Sequence, residues 1–412
     1  MVPNRPNNQK GSLFQRWALD EDIQDNYVTQ CFYCTHLERG DVCSAFPNGI
    51  PQEIMNNLVV HQFPYLNDNN IKFHARNKKY AVVKFKPLSR AGNATSSNRM
   101  LSGLIGLCIG DALGVPVEFS TREGLKKHPV TDMIGYGMHD QPKGTWSDDS
   151  SLTFCLGESL CDGYDIFDIA AKIKSWYKEG RWTAYDEVFD IGRTTLESIE
   201  RLIKGKSPFE SGGRQSKDNG NGSLMRILPL AFYLQNITDT SYKYKVIKEV
   251  SMITHAHPRA ILACAIYVDY AISLLKGNSI QNAMYEMKEN IINFYNNEST
   301  YTDELEYYKR ILSEELINCT ENEISSSGYV VDTLEASLWC FMTTHDYESA
   351  VLKAVNLGGD TDTIAALVGG LAGIYYGMNE MPYKWIEMIP KKDKIIELGN
   401  TLYKIFRELP RN

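Results

Sequence analysis

One run of residues near the C-terminus, LGGDTDTIAA at 357–366, constrains the fold of this chain more than any other feature. Two carboxylates and two hydroxyls lie within four residues, and a small-residue apolar run, 367–373, follows at once. Acidic side chains suit a helix N-terminus, where free N–H groups and the helix dipole favour negative charge. Four oxygen donors so close together are costly to bury unless a cation lies among them. The pattern predicts a buried, closely packed helix whose first turn is either an N-cap or part of a cation site.

A second run with the same chemistry lies earlier in the chain. The sequence GTWSDDSSL at 144–152 places Ser147, Asp148 and Asp149 directly before a helix-like run, 152–160. One such cluster is explained by helix capping, whereas two suggest halves of a single oxygen-rich site. Carboxylates, hydroxyls and water are the ligands that Mg²⁺ and Mn²⁺ prefer, and paired ions are commonly bridged by aspartate. We therefore expect the two runs to meet around divalent cations.

The remainder of the large C-terminal region is predicted to be helical. Apolar residues recur three and four positions apart, and strand signals are almost absent. The predicted helices include 167–177, 186–204, 242–255, 258–275, 280–295, 302–318 and 330–341, with a closing helical pair at 385–409. The expected fold class is mainly α: a large all-α domain of orthogonal helices at 99–412, preceded by a small cysteine-containing α+β module.

The N-terminal region is predicted to hold a polar arm, a small module and a linker. Residues 1–28 are either a disordered tail or an arm that reaches a partner, and the Ser-, Gly- and Asn-rich segment 88–98 is the linker. Between them, short strands are expected at 59–63, 71–74 and 80–86. Cys31, Cys34 and Cys43 suit a tetrahedral structural zinc site with His61 as the fourth ligand, with His36 and His74 as alternatives. A thiol-bearing turn without metal is the competing interpretation.

Composition limits the classes of partner and the compartment. The net charge is −8 and no long basic run occurs, which argues against general binding to nucleic acid or to anionic membranes. The polar N-terminus does not resemble a signal peptide. We expect no apolar stretch of transmembrane length, the nearest being 364–378. The nine cysteines do not form a secreted disulfide framework, so a cytoplasmic protein is expected.

Five motifs, taken in order, resemble those of the ADP-ribosyl-acceptor glycohydrolases, a family that includes the dinitrogenase-reductase-activating glycohydrolase. They are GDALG at 110–114 followed by Glu118, SDD at 147–149, GNG with MR at 220–226, TH at 254–255 and GGDTDT at 358–363. The resemblance extends from about residue 99 to the C-terminus. Five ordered motifs are far more specific than any one of them alone.

The resemblance implies roles for individual residues. It implies two Mg²⁺ ions, with Mn²⁺ as the alternative, and a set of ligands and substrate contacts. The metal ligands would be Ser147, Asp148, Asp149, Asp360, Asp362 and Thr363, and the substrate contacts would be Asn221, Gly222, Ser223, Met225, His255, Gly328 and Tyr329. The family usually has threonine at the position of Ser147. Serine keeps the hydroxyl but lacks the β-branch that restricts its rotamer.

The activity implied is hydrolysis of mono-ADP-ribose from arginine side chains of proteins. The transition state of such a reaction is oxocarbenium-like, so carboxylates are needed as acid and base. Glu118 and Asp148 are the candidates, with Asp360 as the rival. Three alternatives remain: a serine linkage, a small-molecule substrate, or a non-catalytic protein that blocks a transferase. Some family members are immunity proteins against ADP-ribosyltransferase toxins, and the N-terminal extension suits binding of such a toxin.

Overall fold

The computed structural model describes residues 31, 34–39, 42–55, 61, 69, 71–75, 98–296, 298–313 and 315–408. Contacts between Cα atoms divide the chain into two compact units, Met1–Thr95 with Ser279–Gln281, and Ser96–Asn278 with Asn282–Asn412. The expected N-terminal arm at 1–28 lies outside the described residues, as do the expected linker except for Asn98 and the expected strand at 80–86.

The described part of the N-terminal unit is built around a small hairpin. Strand β1 (Leu37–Arg39) pairs antiparallel with β2 (Val42–Cys43), and a helical turn, α1 (Gln52–Met55), follows. Its buried core consists of Cys31, Cys43, Ala45, Phe46, Ile50 and Ile54. The strand expected at 71–74 is absent. The adjacent Ala75 forms an isolated antiparallel bridge with Cys34, and the carbonyl of His74 accepts from the N–H of Thr35 over 2.7 Å, so the segment pairs locally without forming a ladder.

In its described residues, the regular secondary structure of the large unit consists of α-helices and short 3₁₀ turns joined by loops, which confirms the mainly α fold. Its α-helices are α2 (Arg99–Gly114), α3 (Arg122–Lys127), α4 (Asp148–Leu160), α5 (Ile166–Glu179), α6 (Arg193–Ile203), α7 (Pro229–Leu234), α8 (Thr240–Met252), α9 (Pro258–Leu275), α10 (Ile280–Tyr295), α11 (Ser299–Leu305), α12 (Lys309–Leu312), α13 (Val330–Met342), α14 (Tyr347–Val355), α15 (Thr361–Tyr376), α16 (Tyr383–Met388) and α17 (Lys392–Glu408). Short 3₁₀ turns lie at Val115–Val117, Gly137–His139, Ser216–Asp218, Glu306–Tyr308, Leu316–Asn318, Glu321–Glu323 and Met378–Glu380.

Two of the predicted helices are wrong in extent. The helix expected at 186–204 begins only at Arg193, because Asp186 and Asp190 have left-handed backbones with φ of 62° and 55°. The helix expected at 302–318 is divided into shorter α and 3₁₀ segments. Helical periodicity in the sequence does not reveal where single residues leave the helical region of backbone space.

Helices α2 and α15 form the tightly packed centre of the unit. A Cβ atom added at Gly110 would lie 2.0 Å from the carbonyl oxygen of Ala365, and one at Gly369 would lie 2.1 Å from that of Gly106. The hydroxyl of Thr361 donates to the carbonyl of Gly114 over 2.8 Å. The small-residue run after 366 therefore allows two backbones to touch, and this contact brings the beginning of α15 to the end of α2.

Two helices are long and apolar enough to cross a membrane by length and composition, contrary to the sequence expectation. They lie at Arg99–Val117 and Pro258–Leu275, and 94% and 89% of these segments are buried inside the protein. Core helices pass the same test of length and hydropathy, so the two segments are weak indicators of membrane insertion.

Candidate active site

The structure brings the two predicted acidic runs together at the N-termini of α4 and α15. Ser147 is the N-cap of α4 and accepts a hydrogen bond from the backbone N–H of Asp149. The Ser147 hydroxyl donates to Asp149 Oδ2 over 3.1 Å, and the hydroxyl of Thr363 donates to the same oxygen over 3.3 Å. Asp149 therefore joins the two runs, although 214 positions separate it from Thr363.

Several carboxylate oxygens at this meeting point are buried and unsatisfied. Within the described residues, Oδ1 of Asp149 and both carboxylate oxygens of Asp362 have no hydrogen-bond partner. Burial, reinforced by neighbouring acids, raises the pKa of Asp148, Asp149 and Asp362 well above the ordinary value. An unpaired buried carboxylate is costly, and a coordinated cation removes that cost. The donor set thus fits a hard divalent cation.

Asp111 holds the first of these acidic helix ends in place. Its carboxylate is fully buried and accepts hydrogen bonds from the backbone N–H groups of Ser147 and Ser150 at 2.9 and 3.0 Å, and from the Ser150 hydroxyl at 2.6 Å. Burial raises the pKa of Asp111 to about 6. Asp111, which belongs to the GDALG motif at the end of α2, therefore caps the distant helix α4.

Glu118 lies where two acidic groups meet. Two sets of potential metal-ligand atoms share Glu118. In the first set, atoms of Glu118, Asp360 and Asp362 lie within 4.8 Å of one another; in the second set, atoms of Glu118, His139 and Asp190 do so. Glu118 Oε2 is hydrogen-bonded to Nε2 of His139, which lies 3.9 Å from Oδ1 of Asp190. Burial raises the pKa of Glu118 to about 7, and the hydrogen bond to Glu118 raises the pKa of His139.

His139 and Asp190 were missed by the sequence analysis. Neither belongs to one of the five motifs, and Asp190 was placed inside a predicted helix. The one signal was the acidic, glycine-containing stretch DEVFDIG at 186–192, whose composition is more typical of a loop than of a helix interior.

The segments that flank Glu118 carry most of the strained backbone. Of the eight described non-glycine residues with positive φ, six lie in these segments: Phe119, Tyr136, Asp140, Trp182, Asp186 and Asp190. The segments touch one another, because the rings of His139 and Phe189 are 5.2 Å apart and Gln141 donates to Glu187 over 3.3 Å. Strained conformations persist only where surrounding contacts hold them, and they cluster at functional sites.

Three other predicted loops meet beside Asp360. The side-chain amide of Asn221 donates to Asp360 Oδ2 over 2.8 Å, and its backbone N–H donates to the carbonyl of Gly328 over 3.1 Å. Gly220 forms an isolated bridge with Tyr329, and Gly213 forms one with His255. The GNG loop, the TH segment and the loop at 326–329 therefore form one wall next to the acidic cluster.

The predicted substrate residues differ in their exposure. Gly328 is exposed and Tyr329 is half-buried, with its hydroxyl accepting a hydrogen bond from Arg259 over 2.9 Å. The side chains of Ser223 and Met225 lie in the interior, and the Ser223 hydroxyl accepts from Ser251 over 3.0 Å. These two residues can thus offer a ligand their backbone rather than their side chains in this conformation.

His255 and Gly222 pack directly against each other. A Cβ atom at Gly222 would lie 2.8 Å from Cε1 of His255 and 2.7 Å from the hydroxyl oxygen of Thr195, so a larger residue would displace one of them. Burial lowers the pKa of His255 to about 3, which keeps its ring neutral. A guanidinium nitrogen of the buried Arg226 donates to the carbonyl of Gly222 and fixes the base of the loop.

Comparison with known proteins gives a consistent result over the large unit. The family model described as ADP-ribosylglycohydrolase matches residues 92–411. The "ADP-ribosylarginine hydrolase Tri1" of Serratia proteamaculans is 32% identical over 317 residues, covering 75% of this chain and 80% of that protein. The "ADP-ribosyl-[dinitrogen reductase] glycohydrolase" of Rhodospirillum rubrum is 29% identical, covering 72% and 91%. A solved structure titled "ADP-ribosylglycohydrolase-related protein complex" superposes with a TM-score of 0.61 at 28% identity, covering 75% of this chain and 98% of that one.

Proposed function

The chain belongs to the ADP-ribosylglycohydrolase family, and we propose that it removes mono-ADP-ribose from modified arginine side chains of proteins in the cytoplasm. The observation that carries the proposal is the buried, unpartnered carboxylate oxygens of Asp149 and Asp362 beside Glu118 and Asp360. A non-catalytic relative would have no reason to keep such costly groups together.

The residues that would hold metal are those at the two helix ends. They are Ser147, Asp148, Asp149, Asp360, Asp362 and Thr363, and the ions proposed are two Mg²⁺, with Mn²⁺ as the alternative. Bound there, divalent cations would neutralise the carboxylates and supply Lewis-acid polarisation of substrate oxygens. Asn221 keeps the Asp360 carboxylate oriented through its amide hydrogen bond of 2.8 Å.

Glu118 is the proposed general base. Its pKa of about 7 allows its carboxylate to take up a proton near neutral pH, which efficient acid–base catalysis requires. His139 fixes the orientation of the Glu118 carboxylate by the hydrogen bond at Oε2. Asp148 is the proposed partner that assists the leaving group. Asp360 is the rival candidate for base; like Glu118, it has one oxygen in a hydrogen bond, which Asn221 donates.

An arginine linkage is favoured by charge at the edge of the site. The side chain of Asp190 is 20% exposed and lies next to the Glu118–His139 pair, so it offers a carboxylate that solvent and substrate can reach. A guanidinium pairs well with a carboxylate, whereas a serine hydroxyl gains much less from it. The relative from Serratia bears an arginine-specific name, which supports the same choice.

The test is release of ADP-ribose from arginine-ADP-ribosylated protein, measured with Mg²⁺ and with chelator. We expect metal-dependent release by the wild type, loss of release in Asp360→Ala, and normal release in Asp393→Ala, which alters an exposed acid at the start of α17. Serine-ADP-ribosylated protein is assayed in parallel. Exclusive serine cleavage would contradict the arginine assignment, and no release from either substrate would contradict the enzymatic proposal.

We further propose that the N-terminal extension binds an ADP-ribosyltransferase toxin, so that the protein serves in immunity. The family match begins at residue 92, which leaves a region before it that hydrolysis does not account for. Binding of the full chain and of a chain lacking residues 1–95 to a cognate transferase would be compared by calorimetry. Equal affinity of the two forms would refute the role of the extension while leaving the hydrolase proposal intact.

A further inference from the structure

We propose that the N-terminal unit holds a structural zinc ion between Cys31, Cys34, Cys43 and His61. This site lies within that unit, and the proposal does not depend on the hydrolase function. Zinc in structural sites takes four sulfur or nitrogen ligands in a tetrahedral arrangement, and three cysteines with one histidine are a common set.

The first two cysteines lie on a turn of the kind that presents paired ligands. The backbone N–H of Cys34 donates to the carbonyl of Cys31 over 3.1 Å, and the N–H of Leu37 donates to the carbonyl of Cys34 over 3.4 Å. The backbone N–H of His74 points at Sγ of Cys34, 3.5 Å away. This contact fixes the position of the Cys34 sulfur at the edge of the cavity.

The other two donors come from separate parts of the unit and face the same space. Cys43 ends β2 and is held by two backbone hydrogen bonds with Phe46, and the Phe46 ring packs 4.9 Å from the ring of His61. All four donors are buried, with exposures of 6–7%, and all four line one small cavity. His36 also lines this cavity, but it is less buried than His61.

The composition of the described core of the N-terminal unit also supports a zinc site. Two of the six residues in the described buried cluster, Cys31 and Cys43, are cysteines, and the buried Cys34 lines the same cavity. Metal ligation is one of the usual ways in which small units are stabilised.

Zinc binding would draw the segments of the N-terminal unit closer together. Among the described residues, the groups of donors that already lie within 4.8 Å of one another are the two acidic ones around Glu118. The cysteine and histidine donors must therefore move inward to reach bonding distance, and the segments that carry them would move with them. Zinc-dependent resistance to proteolysis at the N-terminal unit is the expected consequence.

The experiment is metal analysis of the purified full chain after dialysis against Zn²⁺ and then against buffer. We expect one tightly bound zinc per chain in the wild type and loss of that zinc in Cys34→Ser. Two controls should retain it: Cys161→Ser, a half-buried thiol of the large unit, and Asp360→Ala in the acidic cluster. His61→Ala should lose zinc and His36→Ala should keep it.

A spectroscopic measurement on the unaltered chain keeps the test independent of folding in the variants. Replacement of zinc by Co²⁺ should give intense ligand-field bands of a tetrahedral site and thiolate-to-cobalt charge transfer. Absence of bound zinc from the wild type, a cobalt spectrum without thiolate charge transfer, or zinc lost with Asp360→Ala but not with Cys34→Ser would overturn the proposal. Loss of zinc with His36→Ala instead of His61→Ala would overturn the choice of the fourth ligand.

Discussion

Asp362→Asn is predicted to remove metal-dependent stabilisation without destabilising the metal-free protein. Asp362 is fully buried, and both of its carboxylate oxygens are unpartnered among the described residues. In the metal-free protein, the buried carboxylate of Asp362 has no partner for its negative charge in the described part of the chain. Burial therefore destabilises the charged form and raises the pKa of this carboxyl. Asparagine has the same shape and no charge. The melting temperature of the chelated variant should therefore equal or exceed that of the chelated wild type.

The size of the metal effect follows from mass action. A ligand at 100 times its Kd that binds only the folded state adds about 2.7 kcal/mol. In domains of roughly 150–250 residues, a change of 1 kcal/mol in the free energy of unfolding shifts Tm by about 2–4 °C. Larger domains shift less, so about 2 °C per kcal/mol applies to the large unit, and a shift of about 5 °C is expected. Differential scanning calorimetry of the wild type in Mg²⁺ and in chelator measures this shift, with Asp393→Asn as the matched surface control.

Two results would refute this reasoning. If Asp362→Asn kept the full shift with Mg²⁺, Asp362 would not be a ligand. If the chelated variant melted well below the chelated wild type while Asp393→Asn did not, the Asp362 carboxylate would be making favourable contacts in the metal-free protein, and its unpartnered oxygens would no longer indicate a cation site.

Three further predictions follow from the same geometry. Burial raises the pKa of Asp111 to about 6 and of Glu118 to about 7, and it also raises the pKa values of Asp148, Asp149 and Asp362, which together outweigh the lowered pKa of His255. The folded metal-free protein therefore binds more protons than the unfolded chain, and urea unfolding should show stability falling as pH rises from about 4 through 7. Gly110→Ala should lower the free energy of unfolding by about 3 kcal/mol or more, because its Cβ would meet a backbone oxygen at 2.0 Å, whereas Gly157→Ala, with 3.4 Å to its nearest neighbour, should be nearly neutral. His139→Ala removes the hydrogen bond that lowers the pKa of Glu118, so the acidic limb of kcat/KM should move to higher pH, and exposed His128→Ala should leave the profile unchanged.

Features that depend on neighbouring residues were predictable from the sequence. The acidic turns at 147–149 and 360–363 identify helix N-termini because capping is decided within one turn. The small residues after 366 likewise predict close packing, which Gly369 confirms, because a Cβ atom there would lie 2.1 Å from the carbonyl oxygen of Gly106. Even the meeting of the two turns could be expected, since two clusters with the same oxygen-rich chemistry suggest halves of one site.

Features that depend on distant residues were not predictable in the same way. Asp111 caps a helix that begins 37 positions later, and nothing near it in the sequence distinguishes that role from a cap of its own helix. Asp190 reaches the site because a left-handed backbone delays the start of α6. Aspartate tolerates this conformation better than most residues, but tolerance alone does not predict its use at one position.

The residues around the site stand either on buried helices or on surface segments, and this difference suggests different functional roles. Asp148, Asp149 and Asp362 stand at buried helix ends, of which that of α15 touches the backbone of α2 and that of α4 is held by Asp111, so their positions can change only if the core changes. His139 and Asp190 stand on surface segments with left-handed residues, held by ring and amide contacts that a few substitutions could rearrange. Reaction chemistry needs donors fixed to within a fraction of an ångström, whereas recognition of the acceptor side chain needs only a complementary group nearby. We propose that the acids at the buried helix ends hold the catalytic metal ions, and that Asp190, on a surface segment, is where a chain of this fold can adjust which linkage it cleaves.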